Sequence, residues 1–166
     1  MSKRALKKYL QELDKEALAE QLLELYEKFG DVKAYYNFVF NPKEDVLIND
    51  AKARIAKEYA SRGKRRPKAR RSVAQKYFRQ FEVLGVHPAL VADLMAFNLD
   101  LMLGYERRYN CSEVFYKSIL KAFKDLIGVV RYNGLNSEFS DHIYAIHHLI
   151  LSSDWPNAAD FEDLLE

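Results

Sequence analysis

Apolar residues recur every three or four positions along almost the whole chain, which is the spacing that one buried helix face requires. Residues that begin or end helices separate these runs: Ser2 and Asp14 are typical N-caps, and Gly30 is typical of a helix end. No alternating run is long enough to predict a strand. The pattern therefore predicts an all-α fold, a bundle or short stack of seven to eight helices, in a single domain over residues 1–166.

The remaining helix boundaries follow from proline and glycine. Asn41-Pro42 predicts the start of a helix, and Pro67 predicts the start of another, which Gly85 would end. The next helix begins at Pro88 and is apolar nearly all round, so it is expected to lie at the centre of the fold. A short acidic helix is expected at the C-terminal end of the sequence.

Composition adds the broad class of protein. Of the 166 residues, 49% are hydrophobic and 30% are charged, which is ordinary for a globular protein. The single cysteine forms no intrachain disulfide, the first residues lack the apolar run of a signal peptide, and no run approaches the roughly 18 apolar residues of a membrane span. These features predict a cytoplasmic protein that does not enter a membrane.

Charge is concentrated in one stretch of the chain. Twelve of the 26 basic residues lie between Lys52 and Arg79, where Glu58 is the only acid. This stretch carries +11 (12 − 1), and since the whole chain carries +2, the rest carries −9. Such a block repels itself unless an anion lies near it, either within the fold or on a partner.

The basic stretch predicts a loop followed by an amphipathic helix, together residues 61–84. On a helical wheel from Pro67 to Leu84, apolar residues share one face and most of the cations share the opposite face. These cations are expected to point into solvent together with those of the preceding loop. The predicted anion- or partner-binding residues are Lys64, Arg65, Arg66, Lys68, Arg71, Lys76 and Arg79.

Two interpretations of this charge stay open. Cations on a loop and one helix row can neutralise the phosphates of a nucleic acid, and Tyr59 and Tyr77 would stack on bases if they are exposed. Alternatively, acids of the same fold or of a second copy compensate the charge. Such acids are available at four-residue spacing in Glu12, Glu16, Glu20 and Glu24, and again in the acidic C-terminal segment.

Arg70 differs from the other cations because it falls on the apolar side of the predicted helix. A buried charge is costly unless it is paired, so a carboxylate of another helix, Asp93 or Asp100, is the expected partner. Asn98 lies on the apolar face of the helix that begins at Pro88 and needs hydrogen-bond partners there. Arg70, Asp93 and Asn98 are therefore a predicted buried polar cluster, either a structural one or a small-ligand pocket.

No pattern in the sequence predicts catalysis, a metal or a cofactor. Glu138 and His142 lie four residues apart, but a metal site needs three or four convergent ligands. Cys111 has no neighbour that is expected to lower its pKa, and six scattered glycines form no phosphate-binding loop. An enzyme is therefore the minority hypothesis.

Four segments together resemble a family of small bacterial helical proteins of unknown function. They are residues 65–76 (RRPKARRSVAQK), 2–10 (SKRALKKYL), 38–44 (FVFNPKE) and 92–95 (ADLM). The resemblance runs through most of the chain. It implies a bacterial cytoplasmic protein with a single domain, and it implies no catalytic residue.

The leading hypothesis is a non-enzymatic binding module whose surface from Lys64 to Arg79 meets an anionic partner. An acidic protein or a second copy of the chain is favoured over a nucleic acid. The alternatives are a small-ligand binder or enzyme that uses Arg70, Asp93 and Asn98, and a structural homo-oligomer.

Overall fold

A computed structural model describes residues 2–61, 63 and 65–165, and all regular structure among them is helical. The α-helices are α1 (Lys3–Gln11), α2 (Lys15–Lys28), α3 (Gly30–Phe40), α4 (Glu44–Tyr59), α5 (Arg71–Leu84), α6 (Pro88–Glu106), α7 (Glu113–Tyr132) and α8 (Asn136–Leu151). A 3₁₀ helix, Ala158–Leu165, follows them. The all-α prediction is confirmed, and the nine helices in the described residues exceed the predicted seven to eight by at least one.

The chain divides into two compact units, Met1–Lys43 and Glu44–Glu166. The first unit contains α1 to α3, and the second contains the other helices. The single domain over residues 1–166 stays a prediction.

The first unit is held together locally. Ser2 and Asp14 accept hydrogen bonds from the backbone N–H groups at the starts of α1 and α2, so both predicted N-caps are confirmed. Between α2 and α3, the Tyr26 hydroxyl donates to Asn37 Oδ1 at 2.9 Å. None of the residues in these three helices is buried, so apolar burial contributes little to the stability of this unit.

The second unit is built around α6, as the sequence predicts. Most of this helix is buried, and Leu94, Leu99 and Met102 are inaccessible to solvent. Helices α4 and α7 pack against it most extensively. All of the buried hydrophobic side chains in the described part of the chain lie between Ile48 and Phe161, so the hydrophobic core belongs to this unit.

The C-terminal 3₁₀ helix is fixed by one aromatic side chain. Phe161 is fully buried, and its ring centroid lies 5.8 Å from that of Phe123 and 6.3 Å from that of Trp155. His147 Nε2 lies 2.7 Å from the carbonyl oxygen of Phe161, which joins the 3₁₀ helix to α8. No helix in the described residues is both long and apolar enough to cross a membrane.

Glycine and proline mark some of the predicted boundaries and miss others. Gly85 ends α5 in the left-handed conformation, with φ of 77°, and Pro88 opens α6 behind a His87 cap, as predicted. Gly30, however, opens α3 instead of only ending α2. Helix α4 begins at Glu44, two residues after the predicted proline start.

The predicted helix start at Pro67 is wrong, because α5 begins at Arg71. The backbone before it is tied to other elements: the Pro67 carbonyl accepts from the Tyr105 hydroxyl, and the Ala69 N–H donates to the Glu58 carbonyl at 2.9 Å. Ala69 also has φ of 46°, a left-handed conformation that a helix cannot contain. Tertiary hydrogen bonds therefore override the local helix-start signal.

If the second unit holds the core, two leucine truncations should differ sharply. Leu94→Ala, at a position with no solvent exposure, is expected to lower the unfolding free energy by about 2–5 kcal/mol. Leu23→Ala in α2, where the leucine is 63% exposed, should change it by less than about 0.5 kcal/mol. Urea denaturation followed by circular dichroism measures both, and equal losses would contradict this assignment of the core.

Candidate functional site

The described cations of the predicted binding set lie on α5 and on the extended segment before it. Arg65, Lys68, Lys76 and Arg79 are exposed, as predicted. Lys64 lies outside the described residues. The exposed cations thus lie both on the extended segment and on α5. Arg66 and Arg71, which belong to the same predicted set, also form hydrogen bonds with other residues.

Arg66 is held by neutral groups. Its Nε donates to the Tyr105 hydroxyl at 2.6 Å, and its Nη2 donates to the carbonyl oxygen of Asn110 at 2.8 Å. The guanidinium also lies over the rings of Tyr105 and Tyr109, 5.2 and 5.3 Å from their centroids. The hydrogen bond to Tyr105 raises the pKa of Arg66, so the side chain keeps its charge while it is fixed in position.

Tyr105 joins this arginine to the backbone of the segment. Its hydroxyl accepts from Arg66 and donates to the Pro67 carbonyl at 3.2 Å. The tyrosine is only 4% exposed, and its ring lies against those of Tyr109 and Phe115, with centroids 4.7 and 5.2 Å away. A side chain so confined is a rigid support for the residues that it contacts.

Arg70 is not buried on the apolar side of a helix, contrary to the sequence prediction. It is exposed at the N-terminal end of α5, where its Nε and Nη2 donate to the two carboxylate oxygens of Glu58 at 2.8 and 2.7 Å. The hydrogen bond from Arg70 lowers the pKa of Glu58, and Glu58 in turn raises the pKa of Arg70. The expected carboxylate partner therefore exists, but it comes from α4.

The predicted cluster of Arg70, Asp93 and Asn98 is not assembled. Asp93 is half-buried and forms an ion pair with Lys52, whereas Arg70 is bound to Glu58. Asp100, the other predicted partner, lies 3.3 Å from His142 through Oδ1 and Nε2. The two predicted partners of Arg70 thus have other contacts, Asp93 with Lys52 and Asp100 with His142.

Asn98 itself is buried, as its position on α6 predicts. Its Nδ2 donates weakly to the Met102 sulfur at 3.5 Å, and its Oδ1 accepts weakly from the Tyr59 hydroxyl at 3.5 Å. The cavity beside it measures about 20 Å³ and is also lined by Arg71 and Lys121. That volume accommodates about one water molecule, so this cavity is too small for a metabolite.

Arg71 departs from the prediction that it points into solvent. It is half-buried, and its Nη1 donates to Ser118 Oγ at 2.9 Å, which connects the start of α5 to α7. Ser118 Oγ in turn donates to the Val114 carbonyl at 2.7 Å. The partner is again a neutral group, so the charge of Arg71 is not compensated by this contact.

The end of α4 and the segment before α5 enclose a pocket of about 290 Å³, the basic pocket. Five cations and one acid line it: Lys57, Arg65, Arg66, Lys68, Arg70 and Glu58. These side chains carry a net charge of +4 (5 − 1), and the one acid is already bound to Arg70. Sequence reasoning missed Lys57 as a site residue, although it lies within the same basic stretch.

Carboxylates do not neutralise this surface. Among the described residues of the second unit, no aspartate or glutamate forms an ion pair with Arg65, Arg66, Lys68, Lys76 or Arg79. The ion pairs that the described residues form join Lys28 to Glu24, Lys52 to Asp93, Arg70 to Glu58 and His142 to Asp100. The positive potential of the segment and of the α5 row is therefore open to an external anion.

Two other kinds of site are relevant among the described residues, a reactive cysteine and a metal site. Burial raises the pKa of Cys111, and its thiol donates to the Tyr109 carbonyl at 3.3 Å. Activation of a cysteine as a nucleophile requires a lowered pKa instead. Within residues 2–61, 63 and 65–165, no group of three or more histidine, cysteine or acidic side chains is arranged to hold a metal ion.

An all-α protein is the class that this fold defines. The chain belongs to the family of unknown function DUF6155, which it matches over residues 1–166. The resemblance to a family of unknown function is thereby confirmed, whereas the bacterial source stays a prediction. No curated protein and no solved structure matches the chain.

Tyr105→Phe should destabilise the protein while preserving its packing. The substitution removes the hydroxyl that satisfies the buried Pro67 carbonyl, and we expect the unfolding free energy to fall by about 1–3 kcal/mol. Tyr132→Phe, at a tyrosine that is 91% exposed, is the control and should have no effect. Urea denaturation compares the two variants, and unchanged stability of Tyr105→Phe would show that the hydroxyl does not anchor the segment.

The ion pair of Glu58 should make stability depend on pH in acid. Because the folded-state pKa of Glu58 is lowered, its contribution is complete above the unfolded carboxyl pKa of about 4.3 and is lost as pH falls through the folded value. The stability difference between the wild type and Glu58→Gln is therefore expected to shrink below pH ~4. Denaturation between pH 7 and pH 3 measures it, with Glu162→Gln as an exposed control, and a constant difference would contradict the lowered pKa.

Proposed function

We propose that this protein is a non-enzymatic cytoplasmic binding module that captures an anionic partner. Its binding surface, here called the basic surface, consists of Arg65, Arg66, Lys68, Arg71, Lys76 and Arg79. One observation carries the proposal: among the described residues of the second unit, no carboxylate forms an ion pair with any of these six cations.

The energetics of like charges support this interpretation. These six cations, which lie within fifteen consecutive positions together with Arg70, repel one another, and in the described residues the hydrogen bonds of Arg66 and Arg71 are to hydroxyl or carbonyl oxygens. Such acceptors orient an arginine without cancelling its charge. An anionic partner would relieve the repulsion and would be attracted before contact by the combined field of the six charges.

Recognition through charge is favoured over recognition of bases. Tyr59, one of the two tyrosines considered for stacking, is buried, and Tyr77 is half-buried with its ring 5.9 Å from that of Phe81. Neither ring is offered freely to a base. An acidic protein, or α2 of a second copy with its exposed Glu16 and Glu20, therefore remains the preferred partner, and a nucleic acid bound by its phosphates is the alternative.

The proposal predicts that a polyanion is retained through these particular cations. The wild type should bind immobilised heparin at ~50 mM salt and elute as salt is raised. The variant Arg65→Ala, Lys68→Ala, Lys76→Ala, Arg79→Ala removes four exposed cations without an ion pair in the described structure, so it should elute at much lower salt.

A charge-matched control separates location from net charge. Lys3→Ala, Lys7→Ala, Lys8→Ala, Lys15→Ala also takes the net charge from +2 to −2 (2 − 4), but its four exposed lysines lie in the first unit. This control should elute close to the wild type. Equal losses in both variants, or a wild type that is not retained, would overturn the proposal.

The nature of the partner is then resolved with defined ligands. Fluorescence anisotropy compares duplex DNA with polyglutamate, and light scattering at low salt detects self-association. If DNA is the partner, the basic-surface variant should reduce the slope of log K against log salt by up to about 3–4, since each lost phosphate contact contributes about 0.9.

A further inference from the structure

The basic pocket shares Arg65, Arg66 and Lys68 with the basic surface, and it differs from the α5 row in being concave. Lys57 enters it from the last turn of α4, and Arg65 and Lys68 enter from the extended segment. These three side chains are exposed and form no ion pair with a described residue, whereas Arg66 and Arg70 are fixed by hydrogen bonds. The pocket therefore combines fixed and adaptable cations.

The two fixed arginines have N–H groups that their observed hydrogen bonds do not use. Arg66 uses Nε and Nη2, and Arg70 uses the same two nitrogens toward Glu58. A guanidinium has five N–H groups, and these hydrogen bonds involve only two of the five in each arginine. Because both side chains are already ordered, a ligand that accepts from them would not have to immobilise them first.

The charge and shape of the pocket select the ligand. A net charge of +4 is poorly compensated by a single carboxylate, while a compact dianion with several oxygens accepts from many donors at once. Arginine matches phosphate oxygens in pairs, and lysine adds a mobile point charge. The Glu58 carboxylate would repel an anion, but its bidentate contact with Arg70 holds both of its oxygens.

We propose that the basic pocket binds one phosphate group, as free phosphate or as the terminal phosphate of a monoester, through Lys57, Arg65 and Lys68 and the fixed guanidinium of Arg66. The inference rests on the proposed function, since Arg65, Arg66 and Lys68 belong to the basic surface. It goes beyond that function because the α5 row, represented by Lys76 and Arg79, takes no part in the pocket.

The test is a titration of the full-length protein with sodium phosphate, followed by amide chemical shifts in ¹H–¹⁵N spectra. Sodium acetate at matched ionic strength is the control for salt. Phosphate should shift amides around Lys57 and in residues 65–70 in a saturable manner, and acetate should not. A terminal monoester is distinguished from free phosphate by repeating the titration with phenyl phosphate.

Two double variants, each lacking two exposed cations, locate the binding. Arg65→Ala, Lys68→Ala should weaken phosphate binding about tenfold or more, because it removes two charge-assisted contacts. Lys76→Ala, Arg79→Ala should change it less than about twofold, since those side chains lie outside the pocket. The four side chains make no hydrogen bond to another described residue, so both variants are expected to keep the wild-type circular dichroism spectrum.

The outcomes separate this inference from the broader proposal. Absent or scattered phosphate shifts, or equal weakening in the two double variants, would overturn the phosphate pocket. If heparin still retains the wild type in that case, the basic surface keeps its proposed function and only the pocket is lost. If heparin does not retain the wild type either, both proposals fall together.

Discussion

The anchoring of residues 65–70 to Tyr105 and Glu58 is the constraint on which the basic surface depends. A linker between two helices has no backbone partners of its own, so its course is set by what its N–H and C=O groups find nearby. Here the Pro67 carbonyl accepts from the Tyr105 hydroxyl and the Ala69 N–H donates to the Glu58 carbonyl. Both anchors belong to elements of the buried core, α6 and α4, so the rigidity of the core extends to an exposed loop.

The choice of acceptors determines what the surface can do. Arg66 and Arg71 are held by a tyrosine hydroxyl, a backbone carbonyl and a serine hydroxyl, which fix their direction and leave their charge in place. Carboxylates in the same positions would have fixed them equally well and neutralised them. Exposed ion pairs contribute little to stability, so the lack of them here does not weaken the fold. Instead it preserves the positive potential of the proposed binding surface.

Local chemistry predicts much of the fold and less of the site. The caps at Ser2 and Asp14, the end at Gly85 and the central position of α6 all follow from neighbouring residues. The predicted position of Arg70 was wrong because the helical wheel assumes a helix that begins at Pro67. The backbone at Pro67 is instead fixed by a hydrogen bond from Tyr105, 38 residues away. The contact of Arg71 with Ser118 joins residues 47 positions apart, and the periodicity of the sequence does not predict it either. Exposure of the other cations could be predicted because it requires only a polar helix face or loop.

The distribution of ion pairs explains why compensation within the fold leaves the basic surface charged. The described carboxylates that form ion pairs have partners outside this surface: Glu24 binds Lys28, Asp93 binds Lys52, and Asp100 faces His142. Glu58, the single acid of the basic stretch, binds Arg70 through both of its carboxylate oxygens. It therefore helps to fix the segment before α5 and does not pair with a cation of the basic surface. The described acids of the second unit therefore do not remove the local excess of cations, because none of them lies close enough to form an ion pair with the basic surface.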